Sequence, residues 1–332
     1  MGDPAGIGPE VAVKALVCGR VYDICRPVIF GDAGVIGKAV EIAGLGASVR
    51  CVSEVGQARF EHGTIDVVEA GNVDLETLEA GKVSAVAGKA AFETVRKVIE
   101  AALEGAVEGT VTGPINKEAI NRAGFQFVGH TEIYAHFTGT SDYAMMLVEG
   151  DLRIVHVSTH VSLRGACELV KKGRIVKVIE LAAGACNKLG IESPRIGVAG
   201  LNPHAGDGGL FGFEEEREIG PAVEAVRAEG INVEGPVPAD TLFAKAKGRW
   251  YDVVVAMYHD QGHIPLKLAG FKWDAGRDAW ESVRGVNITL GLPIVRTSVD
   301  HGTAFDIAGK GVASAESMIL AIEYACKMAS AG

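Results

Sequence analysis

Residues 251–267 read YDVVVAMYHDQGHIPLK, residues 286–300 VNITLGLPIVRTSVD and residues 301–311 HGTAFDIAGKG. The run Val253–Met257 is short, Val-rich and free of charge, which predicts a strand covered on both faces, as in parallel sheets. The residues immediately after it lack core character: Tyr258, His259, Asp260, Gln261 and His263 crowd around Gly262. In open α/β sheets ligands sit in loops at the carboxyl ends of strands, so this cluster is a candidate site. Lys267, Asn287, Arg296, Asp300, His301 and Asp306 lie further along the same stretch. These residue types suit an anionic substrate, a metal and a cofactor. A surface loop with two satisfied histidines is the plainer alternative, and further His-bearing loops upstream weigh against it.

Working outward, a chain of 332 residues exceeds the size at which a single core stops growing, so two lobes are expected. No stretch approaches the roughly 18–20 uninterrupted apolar residues of a membrane span, and no charged-then-apolar leader is recognisable. A formal charge of −10 without a basic stripe argues against a nucleic-acid partner. The six cysteines are scattered without a C-x-x-C pair, a pattern of reduced thiols in a cytoplasm rather than of a disulfide framework. Glycine, 44 residues, gathers where strands turn into helices.

The chain opens MGDPAGIGPEVAVKAL, a glycine-rich turn with Pro9 suited to the first position of a helix ending near Val17. Such a turn either cradles an anion on backbone N–H groups or simply leads into the helix. A strand is expected ahead of it, so native residues are expected to precede Met1. An α/β alternation comes next: strand 26–31, helix 33–43, strand 64–69, an amphipathic helix 83–103 and strand 109–113. Lys117 then stands near the start of a helix over 117–122, where the dipole favours acids. It is a ligand group or a solvated lysine.

Three further loops carry histidine. His130 and Thr131 of GHTE precede a helix, either one able to cap it. His160 ends the strand 153–159, whose internal His156 reads as buried or pleat-facing. His204 tops the strand 196–199 ahead of a glycine-rich loop. His160, His204 and His259 thus each lie just past a predicted buried strand. Three neutral imidazoles from separate loops suit one divalent cation with positions left open for substrate; isolated capping histidines are the alternative. Asp240, in PADTLF, is a candidate fourth ligand or a partner to one.

The segments MGDPAGIGPE, VTGPINK, GHTE, STHVSLR, GLNPHAGDGG, PADTLF, YHDQG and the closing VNITLGLPIVRTSVDHGTAFDIAGKG, spread over nearly the whole chain, resemble the 4-hydroxythreonine-4-phosphate dehydrogenase family. HGTAFDIAG also resembles the adenine-side loop of isopropylmalate and isocitrate dehydrogenases. The resemblance implies an α/β, two-lobed fold of that dehydrogenase type, with a long mixed sheet and the active site in the cleft between the lobes. It also implies a nicotinamide site without the G-x-G-x-x-G fingerprint. The cofactor lobe is expected over 1–124 plus 264–332, and the substrate, metal and dimerisation lobe over 125–263.

Carried over by position, the resemblance assigns His160, His204 and His259 to a divalent metal (Zn, Mg, Mn, Co or Ni). It assigns His130, Thr131, Lys267, Asn287 and Arg296 to substrate, and His301, Gly302 and Asp306 to NAD. It implies a cytoplasmic homodimer whose active site takes residues from both subunits. Lys267 and Arg296 suit phosphate and carboxylate, Arg by its two-pronged fork. The metal would hold the substrate hydroxyl and ease hydride loss to NAD, and the resulting 3-keto acid would lose CO2. Asp240, Lys267 and His130 are the candidate general bases.

Two departures bear on the substrate. THVSL stands where the biosynthetic enzymes typically carry THLPL, and the segment 272–284 is longer than usual. Both look more like the sister branch acting on 4-phospho-D-threonate or 4-phospho-D-erythronate than on 4-phosphooxy-L-threonine. A phosphotransacetylase-like acyltransferase on the same fold is the alternative, but it needs neither the three histidines nor HGTAFDIAG. A zinc hydrolase would show H-E-x-x-H or H-x-H spacing, which is absent.

Overall fold

The computed structural model describes residues 1–70, 73–276 and 278–331. The chain forms two compact units, one of Met1–Thr140 with Leu292–Ala329, the other built on Ser141–Gly291. Both are α/β.

The first unit begins with α1 (Gly8–Leu16) and the short α2 (Gly19–Ile24), followed by β1 (Ile29–Gly31), α3 (Ala33–Ile42), β2 (Ser48–Val52) and β3 (Thr64–Glu69). The strands form a parallel sheet of order β1-β3-β2. Its central strand carries Ile65, Val67 and Val68, all buried, as expected of a strand covered on both faces. α3 is capped by Asp32, whose carboxylate accepts from Val35 N at 3.0 Å and from Val73 N at 3.0 Å; an Asp there satisfies otherwise orphaned N–H groups. Then come α4 (Ala85–Leu103), β4 (Gly109–Thr112), α5 (Lys117–Arg122) and α6 (His130–Thr138). Phe92, Val95 and Ile99 of α4 pack on Ile120 of α5 and on Ile133 and Tyr134 of α6. That shared core is why the unit extends to residue 140, beyond the 124 expected from sequence.

The second unit contains β5 (Ala144–Glu149), β6 (Leu152–His156), α7 (Leu163–Leu169), α8 (Lys172–Lys188), β7 (Ile196–Ala199), α9 (Gly220–Ala228), β8 (Val233–Val237), α10 (Ala239–Lys247), β9 (Val253–Ala256), α11 (His259–Gly270), β10 (Phe271–Asp274), β11 (Ala279–Val283) and β12 (Val286–Leu290). Its sheet runs β12-β5-β6-β9-β7-β8. β5 is antiparallel to β12 and to β6, whereas β6, β9, β7 and β8 run parallel, so the sheet is mixed. β10 and β11 form a separate antiparallel hairpin within the segment that reads in sequence as a long loop. Leu266 of α11 is fully buried with Leu147, Ile154 and Val254, which ties α11 to this unit although the sequence places a boundary at 263.

The chain then re-enters the first unit with β13 (Val295–Val299) and α12 (Glu316–Ser330). β13 pairs in parallel with β4, and Thr297 Oγ1 donates to Ala321 O of α12 at 2.8 Å. The loop between them is fixed to the N-terminal segment. Ile7 N donates to Thr303 O at 3.0 Å, Gly309 N to Glu10 Oε1 at 2.6 Å, and Lys14 Nζ to Gly311 O and Ala313 O, both at 2.7 Å.

α4 and α5 touch through Gly88, where an added Cβ would collide with the Ala119 carbonyl. Gly88→Ala gains helix propensity of roughly 1 kcal/mol, but overpacking typically costs about 1–3 kcal/mol. The clash is with backbone, so the net is expected to be a loss, read as a lower midpoint in thermal unfolding of the variant beside the wild type.

Candidate active site

In the second unit, chemistry gathers where β9 ends. The chain passes from Ala256 through an extended Tyr258 directly into α11. Gln261 fixes the turn: its Oε1 accepts from Met257 N at 2.7 Å and its Nε2 donates to Gly200 O at 2.7 Å, at the end of β7. Gly262 lies so close to β6 that a Cβ there would collide with His156 Nε2 and Ile154. One turn apart on α11, His259 and His263 stack with ring centres 3.6 Å apart. The His160 ring is 5.9 Å from that of His259, and the His156 ring 4.8 Å from that of His263. Asp260 Oδ1 lies 2.6 Å from His259 Nδ1, and His263 Nδ1 lies 3.0 Å from His259 O.

Burial first, then the charge of its neighbour His263, pushes His156 down to about 3. Burial, then His259, pushes His263 down to about 4. Both are therefore neutral across the physiological range, the state in which imidazole is a metal or hydrogen-bond ligand. His156 Nε2 is buried without a hydrogen-bond partner among the described residues.

Of the expected metal histidines, the structure brings His160 and His259 together. His204 is exposed on the NPHAG loop, in the left-handed region (φ 53°), its ring 6.4 Å from that of Phe211. No three His, Cys, Asp or Glu side chains stand close enough to hold a metal among the described residues. The donor chemistry still fits a borderline divalent ion: two facing imidazoles, one oriented by a carboxylate. The His204 loop is organised by Glu215. This buried carboxylate accepts from Leu201 N at 2.7 Å, Asn202 N at 2.8 Å and Asn202 Nδ2 at 2.9 Å. Sequence reasoning misses Glu215, one acid in the run EEERE; only burial distinguishes it.

Asn287, on β12, sets Nδ2 3.1 Å from Met145 Sδ and leaves Oδ1 buried without a partner among the described residues. Lys267 lies on α11 with Nζ 5.3 Å from the Phe271 ring centre. Asp240 is exposed in the first turn of α10.

In the first unit the centre is Arg296, on β13 and 2% exposed. Its Nη2 donates to Thr112 Oγ1 at 2.8 Å, and its guanidinium lies 5.6 Å from the Tyr134 ring centre. The Tyr134 hydroxyl donates in turn to Thr110 Oγ1 at 3.0 Å. Burial lowers Arg296 to about 10, against the pull of Tyr134 and Glu132, so it keeps its charge at neutral pH. His130 opens α6 with Nε2 shut from solvent and without a partner among the described residues. Burial, then the charge of Arg296, holds it well below the usual range for histidine. Thr131 stands beside it in the first turn of α6.

The expected cofactor residues lie in the loop anchored to α1. His301 Nδ1 is 3.0 Å from Gly302 O, burial lowers its pKa, and Asp306 is exposed. Asp3 is a buried acid that sequence reasoning does not single out. This fully buried carboxyl accepts from Ala5 N at 2.9 Å, and burial raises it to about 6. Its other oxygen is unpartnered among the described residues. Its motif, GDPAGIGPE, was the available signal.

Each unit is α/β, the second with imidazoles gathered where β9 ends and the first with a buried guanidinium. Residues 23–325 match the family model described as pyridoxal phosphate biosynthetic protein PdxA. The chain is 46% identical over 331 residues to the D-threonate 4-phosphate dehydrogenase of Cupriavidus necator, covering 99% of this chain and 96% of that one. The crystal structure of a 4-hydroxythreonine-4-phosphate dehydrogenase from Klebsiella pneumoniae matches with a TM-score of 0.85 at 45% identity, over 99% of this chain and 98% of that one. A terephthalate 1,2-cis-dihydrodiol dehydrogenase from Burkholderia xenovorans matches at 0.66 and 34%, over 98% and 96%. The chain belongs to the PdxA family and is a dehydrogenase.

Asp3 gives the stability of the fold a pH signature. Its carboxyl is raised from 3.8 to about 6 on folding. Its favourable contribution is therefore full below about pH 4 and lost as pH rises through about 6, a swing on the order of 3 kcal/mol. Asp3→Asn keeps an acceptor for Ala5 N and removes the ionisation. Thermal unfolding from pH 4 to 7 is expected to show the variant gaining on the wild type as pH rises. A constant difference would contradict the burial of this charge.

Proposed function

We propose that the chain oxidises a phosphorylated four-carbon 3-hydroxy acid at C3, with NAD as hydride acceptor and a divalent metal bound. The preferred substrate is 4-phospho-D-threonate or 4-phospho-D-erythronate, rather than 4-phosphooxy-L-threonine. The near-full-length match to D-threonate 4-phosphate dehydrogenase carries this choice. The Val161-Ser162 pair of THVSL accords with it; Ser162 caps α7, its Oγ accepting from Gly165 N at 3.1 Å.

His160, His259 and His204 would hold the metal, and such an ion would lower the pKa of a bound hydroxyl, favouring the alkoxide from which hydride departs more readily. His263 and His156, kept neutral by burial, back the pair without adding charge that would repel a cation. Arg296 offers a buried fork, charged at neutral pH, for carboxylate or phosphate, already oriented by Thr112 and Tyr134. Lys267 supplies the second positive charge. Asn287 Oδ1 and His130 Nε2, buried and unpartnered among the described residues, are available to substrate polar groups. Thr131 adds a hydroxyl beside His130.

NAD, when bound, would supply the hydride acceptor for C3, the hydroxyl proton would pass to a base, and a 3-keto acid would result. Its C1–C2 bond would then break, CO2 leaving while the electron pair stays on the enolate, which takes up a proton at C2. Asp240, Lys267 and His130 are the candidate bases; burial and the charge of Arg296 oppose protonation of His130. His301, Gly302 and Asp306 are assigned to the dinucleotide. The chain is assigned to the cytoplasm as a homodimer with shared active sites, to which its free cysteines are suited.

NADH absorbance with added divalent metal, run in parallel on the three phosphorylated acids, tests this assignment. Formation of NADH from the threonate or erythronate is the expected result. Turnover of the amino acid alone would move the chain to the biosynthetic reaction. No NADH from any of them would overturn the assignment to these substrates.

A further inference from the structure

Glu215 is buried, and no step of the proposed reaction uses it. It opens the π-helical turn Glu215–Ile219 that leads into α9, and its side chain reaches back to the end of β7. Its Oε1 accepts from Leu201 N at 2.7 Å and from Asn202 N at 2.8 Å, and its Oε2 from Asn202 Nδ2 at 2.9 Å. The same amide nitrogen donates to Glu214 Oε2 at 2.7 Å, so two acids grip Asn202. Two glycines let the loop close around the carboxylate. A Cβ on Gly200 would collide with Ala205, and one on Gly206 with Glu215 Oε2.

The backbone that Glu215 encloses is strained. Residues 204–207 all have positive φ, at 53°, 54°, 83° and 45°, and only Gly206 adopts it freely. Such conformations persist where the surroundings over-determine them, and they gather at ligand sites. A loop that merely joins β7 to α9 has no need of a histidine at φ 53°, since glycine would sit there without cost.

The peptide between Gly200 and Leu201 links this loop to the turn after β9. Its carbonyl accepts from Gln261 Nε2 at 2.7 Å, two residues after His259, while its N–H is the one bound by Glu215. The base of the His204 loop is thus held from both sides, and the His204 ring is left exposed.

We propose that Glu215 is the positioning residue for His204, holding its loop in register with the His259 turn so that both imidazoles serve one divalent ion. This rests on the metal reading given above. Glu215 acts on where the His204 ring can reach rather than on the ring itself, the part played by groups that orient the ligands of a metal.

The full chain, stripped with a chelator and desalted, tests this by titration with Co(II), whose visible absorption band reports its ligands. Glu215→Ala is expected to weaken Co(II) binding roughly 10-fold and to change the band as His204→Ala does. Glu215→Gln keeps an acceptor for the two backbone N–H groups and should restore most of the affinity. Added to His204→Ala, Glu215→Ala should cause no further loss, the non-additivity of residues that act through one another. Thermal midpoints establish that each variant is folded. If Glu215→Ala is not, Asn202→Ala, which removes the amide bridging Glu214 and Glu215, carries the same expectations. Wild-type affinity and band in the folded variant, or losses that multiply in the double variant, would overturn the inference and leave the metal assignment standing. A wild type that takes up no Co(II) would overturn the metal assignment, and this inference with it.

Discussion

The turn from β9 into α11 is the constraint on which the imidazole cluster depends. A strand that ends inside a sheet leaves backbone groups that must be paired. Here Gln261 takes the Met257 N–H and returns a donor to Gly200 O, locking the ends of β9 and β7 together. Gly262, without a Cβ, lets α11 descend onto His156. Those two residues set where His259 and His263 stand and leave His160 facing His259. Burial then denies His263 and His156 a proton, which suits neighbours of a bound cation. Replacing Gly262 would therefore disturb the chemistry through position alone.

The first unit solves the opposite problem, keeping a charge in a buried place. Moving a guanidinium out of water costs several kcal/mol unless it is hydrogen-bonded and paired. Thr112 and the Tyr134 face supply part of that compensation to Arg296, and the tyrosine is itself held by Thr110. In the proposed function an incoming carboxylate or phosphate would supply more. His130 next to this charge stays neutral for the same electrostatic reason that His263 does. Loop 301–311 is tied down separately, through Glu10 and Lys14 of α1.

Much of the alternating framework was legible in the sequence. Strands 64–69 and 196–199 and helix 117–122 match β3, β7 and α5, because short Val-rich runs and turn residues mark such elements clearly. The segment after Met257 was not. Gly262 and Pro265 disguise α11 as a loop, yet both sit inside the helix. The hairpin of β10 and β11 was hidden in what looked like an insertion. Within the site, histidines announced themselves by type and position, and His156 is buried as its place within a strand suggested. His263 stands out in sequence only as a neighbour of His259, and its stacking is a property of helical spacing invisible without α11. Asp3 and Glu215 stayed hidden because a carboxylate's importance here comes from burial, which no local pattern encodes. The unit boundaries differ from the sequence expectation because α6 and α11 side with the cores they pack on.

The proposed chemistry rests on imidazoles that bind a metal and a guanidinium that binds the anion. The most direct measurement is NADH formation by chelator-treated, desalted protein on the phosphorylated hydroxy acid that the untreated enzyme turns over. Loss of activity on chelation, restored by adding back a divalent ion in wild type but not in His160→Ala, is the expected result. Full activity after chelation, with metal confirmed absent by elemental analysis, would contradict the account.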